Sequence, residues 1–163
     1  MAVRDEILEA NRRYSGSFDK GGLPAPPARR FTVITCMDAR IDPARALGLE
    51  EGDAHVIRNA GGLATDDAIR SLCISNALLG TEEVFVIGHE GCGMLTFTNA
   101  DIHGKLEAER GCDATDVDFL PFPDLDSSVR DSVQRIRDSK LIADELRVSG
   151  WVYDVKTGAL REV

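Results

Sequence analysis

Short apolar runs, rich in β-branched residues, alternate with longer stretches of helical periodicity along this chain. Four of these runs predict β-strands, because each is four to eight residues long and is bounded by turn formers or charged residues. They are Phe31–Cys36, Ala54–Arg58, Val84–Gly88 and Trp151–Val155. The third run is apolar throughout, which is typical of a strand covered on both faces. Residues 160–163 follow a turn glycine and predict a final hairpin arm.

Helical patterns occupy most of the chain between these strands. The clearest predicts a helix over residues 65–79, with Thr65 or Asp66 near its N-cap and Gly80 at its end. Similar patterns predict helices over residues 43–47 and 127–146. Residues 99–126 are acidic and show no regular pattern. Strands that alternate with helices predict an α/β fold. We expect a mainly parallel four-stranded sheet, in the order 2-1-3-4, flanked by helices.

The amino-terminal segment has the pattern of an amphipathic helix followed by a hinge. A helix there places Val3, Ile7, Leu8 and Tyr14 roughly on one face. Residues 21–27 contain three prolines and separate this helix from the remainder. We therefore expect one domain over residues 1–163, with residues 1–22 as a helical arm. A lone helix cannot bury its apolar face by itself, so it must dock on its own domain or on a neighbouring subunit.

Composition and charge narrow the range of functions. The chain has 163 residues, of which 43% are apolar, and carries a formal charge of −9 from 19 basic and 28 acidic side chains. An acidic surface repels nucleic-acid phosphates, so we expect no nucleic-acid partner. The sequence has no apolar run that could span a bilayer and no secretion signal, which predicts a cytoplasmic protein without a membrane partner. In that compartment its four cysteines are expected to be reduced.

Candidate metal ligands stand where the first and third predicted strands end. Cys36 closes the first strand, and His89 and Cys92 follow the third. With the order 2-1-3-4, these strands are neighbours at the point where strand order reverses, which is where open α/β sheets bind ligands. Two thiolates and an imidazole form a set of ligands suited to zinc. Three protein ligands leave a coordination position for water, as in catalytic sites.

Asp38 and Arg40 decide how such a site behaves. A carboxylate beside the metal can orient a zinc-bound water, and an arginine can hold that carboxylate ionised by a bidentate pair. If Arg40 releases it, Asp38 can reach the zinc as a fourth ligand, so the same groups allow an open and a closed site. Glycines beside Cys92 let the backbone pass close to the metal.

Taken together, these motifs closely resemble those of the β-class carbonic anhydrases. The motifs in chain order are Cys36-x-Asp38-x-Arg40, Arg58-Asn59-Ala60-Gly61-Gly62 and His89-x-x-Cys92. The resemblance is strong over residues 31–94 and looser to the carboxyl terminus. The short chain and the lack of a glutamine near the motifs are similar to the compact branch found in archaea and some bacteria, since the only glutamine is Gln134.

The resemblance implies reversible hydration of carbon dioxide to bicarbonate and a proton by zinc-bound hydroxide, a carbonate dehydratase (lyase) activity. It implies Zn²⁺ on Cys36, His89 and Cys92, with Asp38 and Arg40 as the catalytic pair. It further implies a homodimer or a larger assembly of dimers, such as a tetramer, with the amino-terminal helix gripping the partner. Gly61 and Gly62 either line the substrate site through their backbone or make a tight turn, and the resemblance favours the first.

Other interpretations stay open from the residues alone. The compact branch has relatives that hydrolyse carbon disulfide or carbonyl sulfide with the same metal. A non-catalytic zinc protein would keep Asp38 as a permanent fourth ligand. A redox protein would use Cys36 and Cys92 as a reversible pair. His55 and His103 are candidate proton relays, for which a surface histidine is the ordinary interpretation.

Overall fold

The computed structural model describes residues 2–163, which build a five-stranded sheet in the order β2-β1-β3-β4-β5. The strands are β1 (Phe31–Cys36), β2 (Ala54–Asn59), β3 (Glu83–His89), β4 (Arg147–Tyr153) and β5 (Leu160–Glu162). The first four are parallel, and β5 pairs antiparallel with β4. The predicted α/β class, the order 2-1-3-4 and the final hairpin arm are confirmed.

Five helices connect or flank the strands. They are α1 (Val3–Ser15), α2 (Pro43–Leu47), α3 (Asp66–Leu79), α4 (Asn99–Arg110) and α5 (Leu125–Arg137). The main core lies between one sheet face and the helices α3 and α5, and includes Ile34, Leu72, Val86 and Ile136, none of which is exposed to solvent. A second apolar cluster around Val33 and Ile87 lies on the face that Leu47, at the end of α2, helps to cover.

Helix α3 begins where its sequence predicts, because the Thr65 side chain caps it. The hydroxyl of Thr65 accepts a hydrogen bond from the backbone N–H of Ala68, and Gly80 closes the helix in the left-handed conformation. Cys73 is half-buried and packs against the main core from this helix.

The structure differs most from the sequence prediction at α4, α5 and β4. Residues 99–126, expected to be irregular, contain α4, which a capping box between Thr98 and Asp101 starts and Gly111 ends. This helix buries none of its residues and so has no apolar stripe to reveal it. The helix expected over residues 127–146 ends at Arg137. Ile142 and Leu146 are still buried, but they lie in the irregular segment that follows the helix. Strand β4 starts at Arg147 rather than at Trp151. Its early residues alternate between exposed and buried, so they form no continuous apolar run in the sequence.

Helix α1 lies outside the core that the other elements form. None of its residues is buried, and the apolar side chains of Val3, Ile7, Leu8 and Tyr14 are exposed. The Tyr14 hydroxyl and the Lys20 ammonium both contact the Glu51 carboxylate, which ties the segment to the loop before β2. Met1, part of the same predicted segment, lies outside the described residues. Within residues 2–163, no helix is long and apolar enough to cross a membrane.

Candidate metal centre

Cys36, His89 and Cys92 come together at the carboxyl ends of β1 and β3. Their ligand atoms, two Sγ atoms and one imidazole nitrogen, all lie within 4.8 Å of one another, and all three residues are buried. Ligands of one tetrahedral zinc, at about 2.0–2.3 Å from the ion, lie roughly 3.5 Å apart. The neighbouring strand ends therefore gather the predicted ligand set at a spacing close to that of a zinc site.

The orientation of His89 supports a metal partner. Its Nδ1 atom lies 3.0 Å from the backbone carbonyl oxygen of Glu90 and donates a hydrogen bond to it. This bond places the proton on Nδ1 and leaves the lone pair on Nε2. That Nε2 atom is buried and has no hydrogen-bond partner among residues 2–163. A buried acceptor without a partner is costly, so a cation at Nε2 explains what the protein chain alone leaves unsatisfied.

The two thiols are electrostatically unequal. The neighbouring Cys92 thiol lowers the pKa of the Cys36 thiol, and the nearby His89 imidazole and the backbone N–H groups of Asp38 and Gly61 lower it further. The same shared proton, together with burial, raises the pKa of Cys92. Cys36 is thus held as a thiolate, the form that binds metal.

Asp38 and Arg40 form a close pair at the mouth of the site. The Nε and Nη2 atoms of Arg40 donate to the two Asp38 carboxylate oxygens at 2.9 and 2.7 Å, and the Arg40 backbone N–H donates to Oδ1 at 2.9 Å. These bonds hold the pKa of the Asp38 carboxyl well below its usual range. Asp38 Oδ2 lies 3.7 Å from His89 Nε2. The carboxylate is therefore ionised and beside the ligand atoms while Arg40 restrains it.

Arg40 also links this pair to the loop that carries the other ligands. Its Nη2 atom donates a second hydrogen bond, of 2.9 Å, to the backbone carbonyl of Gly91. Gly91 lies between His89 and Cys92 and has a φ of 63°, a left-handed conformation that favours glycine. The Asp38 carboxylate is consequently fixed relative to both strand ends.

Gly61 and Gly62 form the turn after β2, next to Cys36. Both are buried and have positive φ angles of 84° and 68°. A Cβ atom on Gly62 would lie 2.8 Å from the Cys36 backbone nitrogen, a distance that forces one of them to move. The Asn59 side chain braces this turn by hydrogen bonds to both the N–H and the carbonyl of Leu63. The glycines thus make a tight turn and place a backbone N–H against the Cys36 sulfur.

Replacing Gly62 with alanine should therefore damage the ligand segment. The left-handed backbone and the clash with Cys36 predict a loss of about 2–5 kcal/mol in the free energy of unfolding. Chemical denaturation of the two proteins under identical conditions measures this difference.

A matched glycine provides the control for that experiment. Gly104 lies inside α4, and a Cβ atom there meets nothing within 4 Å. Gly104→Ala should stabilise the protein by about 0.5–1 kcal/mol, because alanine is the better helix former. An equal effect of the two substitutions would contradict the close approach of Gly62 to Cys36.

The two candidate proton relays do not share this site. His55 pairs with Thr32 in the sheet register, four positions before the pair of Cys36 with Asn59, and its Nδ1 atom is hydrogen-bonded to the Ser75 hydroxyl at 2.7 Å. His103 lies on α4 and donates through Nε2 to the carbonyl of Val117 at 2.8 Å. Both histidines are held by local hydrogen bonds away from the ligand cluster.

Arg58 also contacts the site, although its sequence pattern predicted no separate role for it. Arg58 donates from Nε to the carbonyl of Cys36 and from Nη2 to the carbonyl of Asp38, at 2.9 and 2.7 Å. Its place in the motif Arg58-Asn59-Ala60-Gly61-Gly62 was the only available signal. Side-chain contacts with backbone carbonyls leave no other trace in a sequence.

Known proteins match the chain over its whole length. The family model described as carbonic anhydrase matches residues 31–116. β-Carbonic anhydrase 1 of Mycobacterium tuberculosis is 46% identical over an alignment that covers 100% of this chain and 99% of that protein. The chain belongs to the β-carbonic anhydrase family. The crystal structure of carbonic anhydrase from Streptococcus mutans matches with a TM-score of 0.96 and 47% identity, covering 100% of this chain and 98% of that one.

Membership of the β-carbonic anhydrase family leaves the substrate open. A carbon disulfide hydrolase of Acidithiobacillus thiooxidans is 36% identical over 99% of this chain and 90% of that protein. This family member is thus similar to proteins that are named for two different substrates. The higher identity is to those named carbonic anhydrase.

Proposed function

We propose that this protein hydrates carbon dioxide reversibly to bicarbonate and a proton, as a zinc-dependent carbonate dehydratase. Cys36, His89 and Cys92 would hold the ion. The observation that carries the proposal is the buried Nε2 atom of His89, which has no partner within residues 2–163 and faces two buried thiols. Zinc held by these residues would lower the pKa of a bound water molecule to about 7 and so would make hydroxide available at neutral pH.

The chain's own groups would orient the reacting water. The ionised Asp38 carboxylate can accept a hydrogen bond from this water and so direct a lone pair of the water oxygen at the substrate carbon. Arg40 keeps the carboxylate ionised and in place through the paired bonds described above. A non-catalytic zinc protein with Asp38 as a fourth ligand is less well supported, because Arg40 occupies both carboxylate oxygens. We assign Asp38 and Arg40 as the catalytic pair.

The surroundings of the ligands suit a small uncharged molecule. The cluster that includes Cys36 and Cys92 also contains Ile41 and Met94, with further apolar side chains packed around it. These are Ala60, Leu95, Phe97, Phe122, Tyr153 and Val155. Apolar walls exclude competing water and favour carbon dioxide over charged compounds. We propose that Gly61 and Gly62 line this substrate side of the site.

A carbon disulfide or carbonyl sulfide hydrolase is the second candidate. It rests on the 36% identity to the Acidithiobacillus thiooxidans protein, and the same ligands and apolar walls would serve it. Both sulfur compounds are linear and uncharged, so the electrostatics of the site do not separate them from carbon dioxide. Turnover has to be measured.

Stopped-flow hydration of carbon dioxide between about pH 7 and 9, on a sample whose zinc has been quantified, tests the proposal. We expect about one zinc per chain and catalysed hydration. Release of hydrogen sulfide from carbon disulfide and carbonyl sulfide is measured on the same sample. Hydrolysis of the sulfur compounds without hydration would favour the second candidate. Bound zinc without any turnover would indicate a structural site.

We also propose a homodimer, or an assembly of dimers, in which the arm of residues 1–22 packs on a partner subunit. Helix α1 exposes its whole apolar stripe. On the sheet face away from α3 and α5, the rings of Phe85 and Trp151 are only half-buried. Two incompletely covered apolar surfaces on one chain favour association.

The cytoplasm is the proposed location, since Cys36 and Cys92 must stay reduced to bind metal.

Deletion of residues 1–22 should convert the assembly into smaller species. We expect sedimentation velocity to show a dimer or larger for the full chain and a shift towards monomer for the deletion variant. Ile7→Ser and Leu8→Ser together in the full chain provide a milder control that keeps the arm's length. A full chain that sediments as a monomer would rule out the proposed assembly.

A further inference from the structure

Arg58 contacts the ligand segment from a different strand. The register of β1 and β2 places Arg58 opposite Thr35 and Asn59 opposite Cys36. From there the guanidinium donates two hydrogen bonds, one from Nε to the Cys36 carbonyl and one from Nη2 to the Asp38 carbonyl. Both acceptors are backbone carbonyls, so the charge of Arg58 is directed at the peptide chain of the site.

The segment from Cys36 to Asp38 leaves the sheet just where these bonds are made. The last backbone bond of the β1–β2 ladder runs from the Met37 N–H to the Asn59 carbonyl at 2.9 Å. Beyond it, the Asp38 carbonyl accepts from the Ile41 N–H at 3.1 Å within its own turn. The hydrogen bond from Arg58 therefore attaches this turn to the neighbouring strand, whereas the bonds from Arg40 and Ile41 come from within the turn.

Cys36 is consequently held from both sides. Gly62 passes close to its backbone nitrogen, and Arg58 binds its carbonyl. The Asp38 carboxylate has its orientation set by Arg40, but the position of its backbone depends on Arg58. A small rotation of the Asp38 peptide would move the carboxylate away from His89 Nε2, which lies 3.7 Å from it.

We propose that Arg58 is a positioning residue, which fixes the Cys36 thiolate and the Asp38 carboxylate relative to each other by clamping the two carbonyls. The inference rests on the proposed function, since it concerns the same zinc site. Two carbonyls on residues 36 and 38 require two donors in a fixed fork, which arginine provides and lysine does not. Outer-shell partners of this kind typically change metal affinity or activity by about 10–100-fold when they are lost.

The test compares Arg58→Gln and Arg58→Lys with Arg45→Gln. Arg45 is an exposed residue of α2, a few residues beyond the same turn, and its loss removes an equal charge. Each full-length protein is loaded with Co²⁺ for its visible absorption spectrum and is titrated with Zn²⁺ against a chelating indicator. The kcat and KM for carbon dioxide hydration are measured on the zinc forms.

Both Arg58 variants should change the cobalt ligand-field bands, weaken zinc binding about tenfold or more and lower kcat more than they raise KM. Arg45→Gln should match the parent protein. A parent-like cobalt spectrum and kcat in Arg58→Gln, with only a lower unfolding temperature, would mean a purely structural role and overturn the proposal. Parent-like behaviour of Arg58→Lys would show that a point charge suffices and would overturn the claim that both guanidinium donors are required.

A failure of Arg58→Gln to fold and a failure of the proposed function can each be distinguished from a failure of the positioning role. If Arg58→Gln does not fold, Arg58→Lys retains the charge and most of the chain length and decides the question through its spectrum. If the parent protein binds zinc but does not hydrate carbon dioxide, the proposed function fails. The cobalt spectra and zinc affinities then still report whether Arg58 positions the ligand segment.

Discussion

Cys92→Ser should abolish zinc binding and, with it, hydration of carbon dioxide. Serine preserves the size of the side chain, but its hydroxyl stays protonated at neutral pH and is a poor zinc ligand. Loss of an outer-shell partner alone weakens metal binding about 10–100-fold, so loss of a ligand should weaken it by at least about 100-fold. Elemental analysis of dialysed protein and stopped-flow hydration measure the two effects.

The chain offers a matched control for this substitution. Cys112 is an exposed free cysteine outside the ligand cluster, so Cys112→Ser removes one thiol and leaves the ligand set intact. We expect parent-like zinc content and activity from it. Circular dichroism should show that both variants are folded, since the core between the sheet and helices α3 and α5 contains neither residue. Zinc retained at the parent level in Cys92→Ser would remove Cys92 from the ligand set.

Asp38→Asn should separate metal binding from catalysis. The amide keeps the shape of the carboxylate but loses its charge, and it cannot accept both hydrogen bonds that the Arg40 guanidinium now donates. We expect zinc content close to that of the parent protein and a fall in kcat/KM of about 10²–10⁴-fold, the range associated with a positioned acid–base group. Zinc analysis and stopped-flow kinetics on one preparation measure both.

Asp67→Asn is the corresponding control for Asp38. Asp67 is exposed on α3 and accepts a hydrogen bond of 2.9 Å from Arg70, so its substitution also removes an Asp–Arg pair. An exposed pair of this kind contributes little to stability, and we expect unchanged kinetics. If Asp38→Asn kept full activity, Asp38 and Arg40 would be a structural ion pair, and the orientation of water would have to come from another group.

The alternatives from the sequence differ in how much support the structure lends them. A reversible disulfide between Cys36 and Cys92 gives no task to His89, whose buried Nε2 atom faces the same site. It also leaves the Asp38–Arg40 pair unexplained. Membership of the β-carbonic anhydrase family and the three-ligand geometry both favour a metal. The sulfur-compound hydrolase differs from the main proposal in substrate alone, which makes the paired turnover assay the deciding experiment.

The elements that the sequence predicted best are those whose local pattern matches their burial. Strand β1 is buried at every position and reads as one apolar run, while Thr65 and Gly80 mark the ends of α3 by their capping chemistry. Helix α4 has no such stripe, because it lies on the surface and buries no residue. The apolar residues after Arg137 continue the helical period in the sequence, but the helix ends there, Leu141 is exposed, and Ile142 and Leu146 are buried from an irregular segment.

By itself, the sequence determined the α/β class and the candidate ligands Cys36, His89 and Cys92, whereas the strand order 2-1-3-4 was an expectation that the structure confirms. Strand-length apolar runs and donor residues at their ends are local features, and a parallel sheet brings such ends to one edge. Only the tertiary structure decided which imidazole nitrogen faces the site, that Arg40 reaches the Gly91 carbonyl and that Arg58 clamps the ligand segment. All three contacts end on backbone carbonyls, which are the same in every residue and therefore carry no sequence signal, and those of Arg40 and Arg58 also join distant parts of the chain.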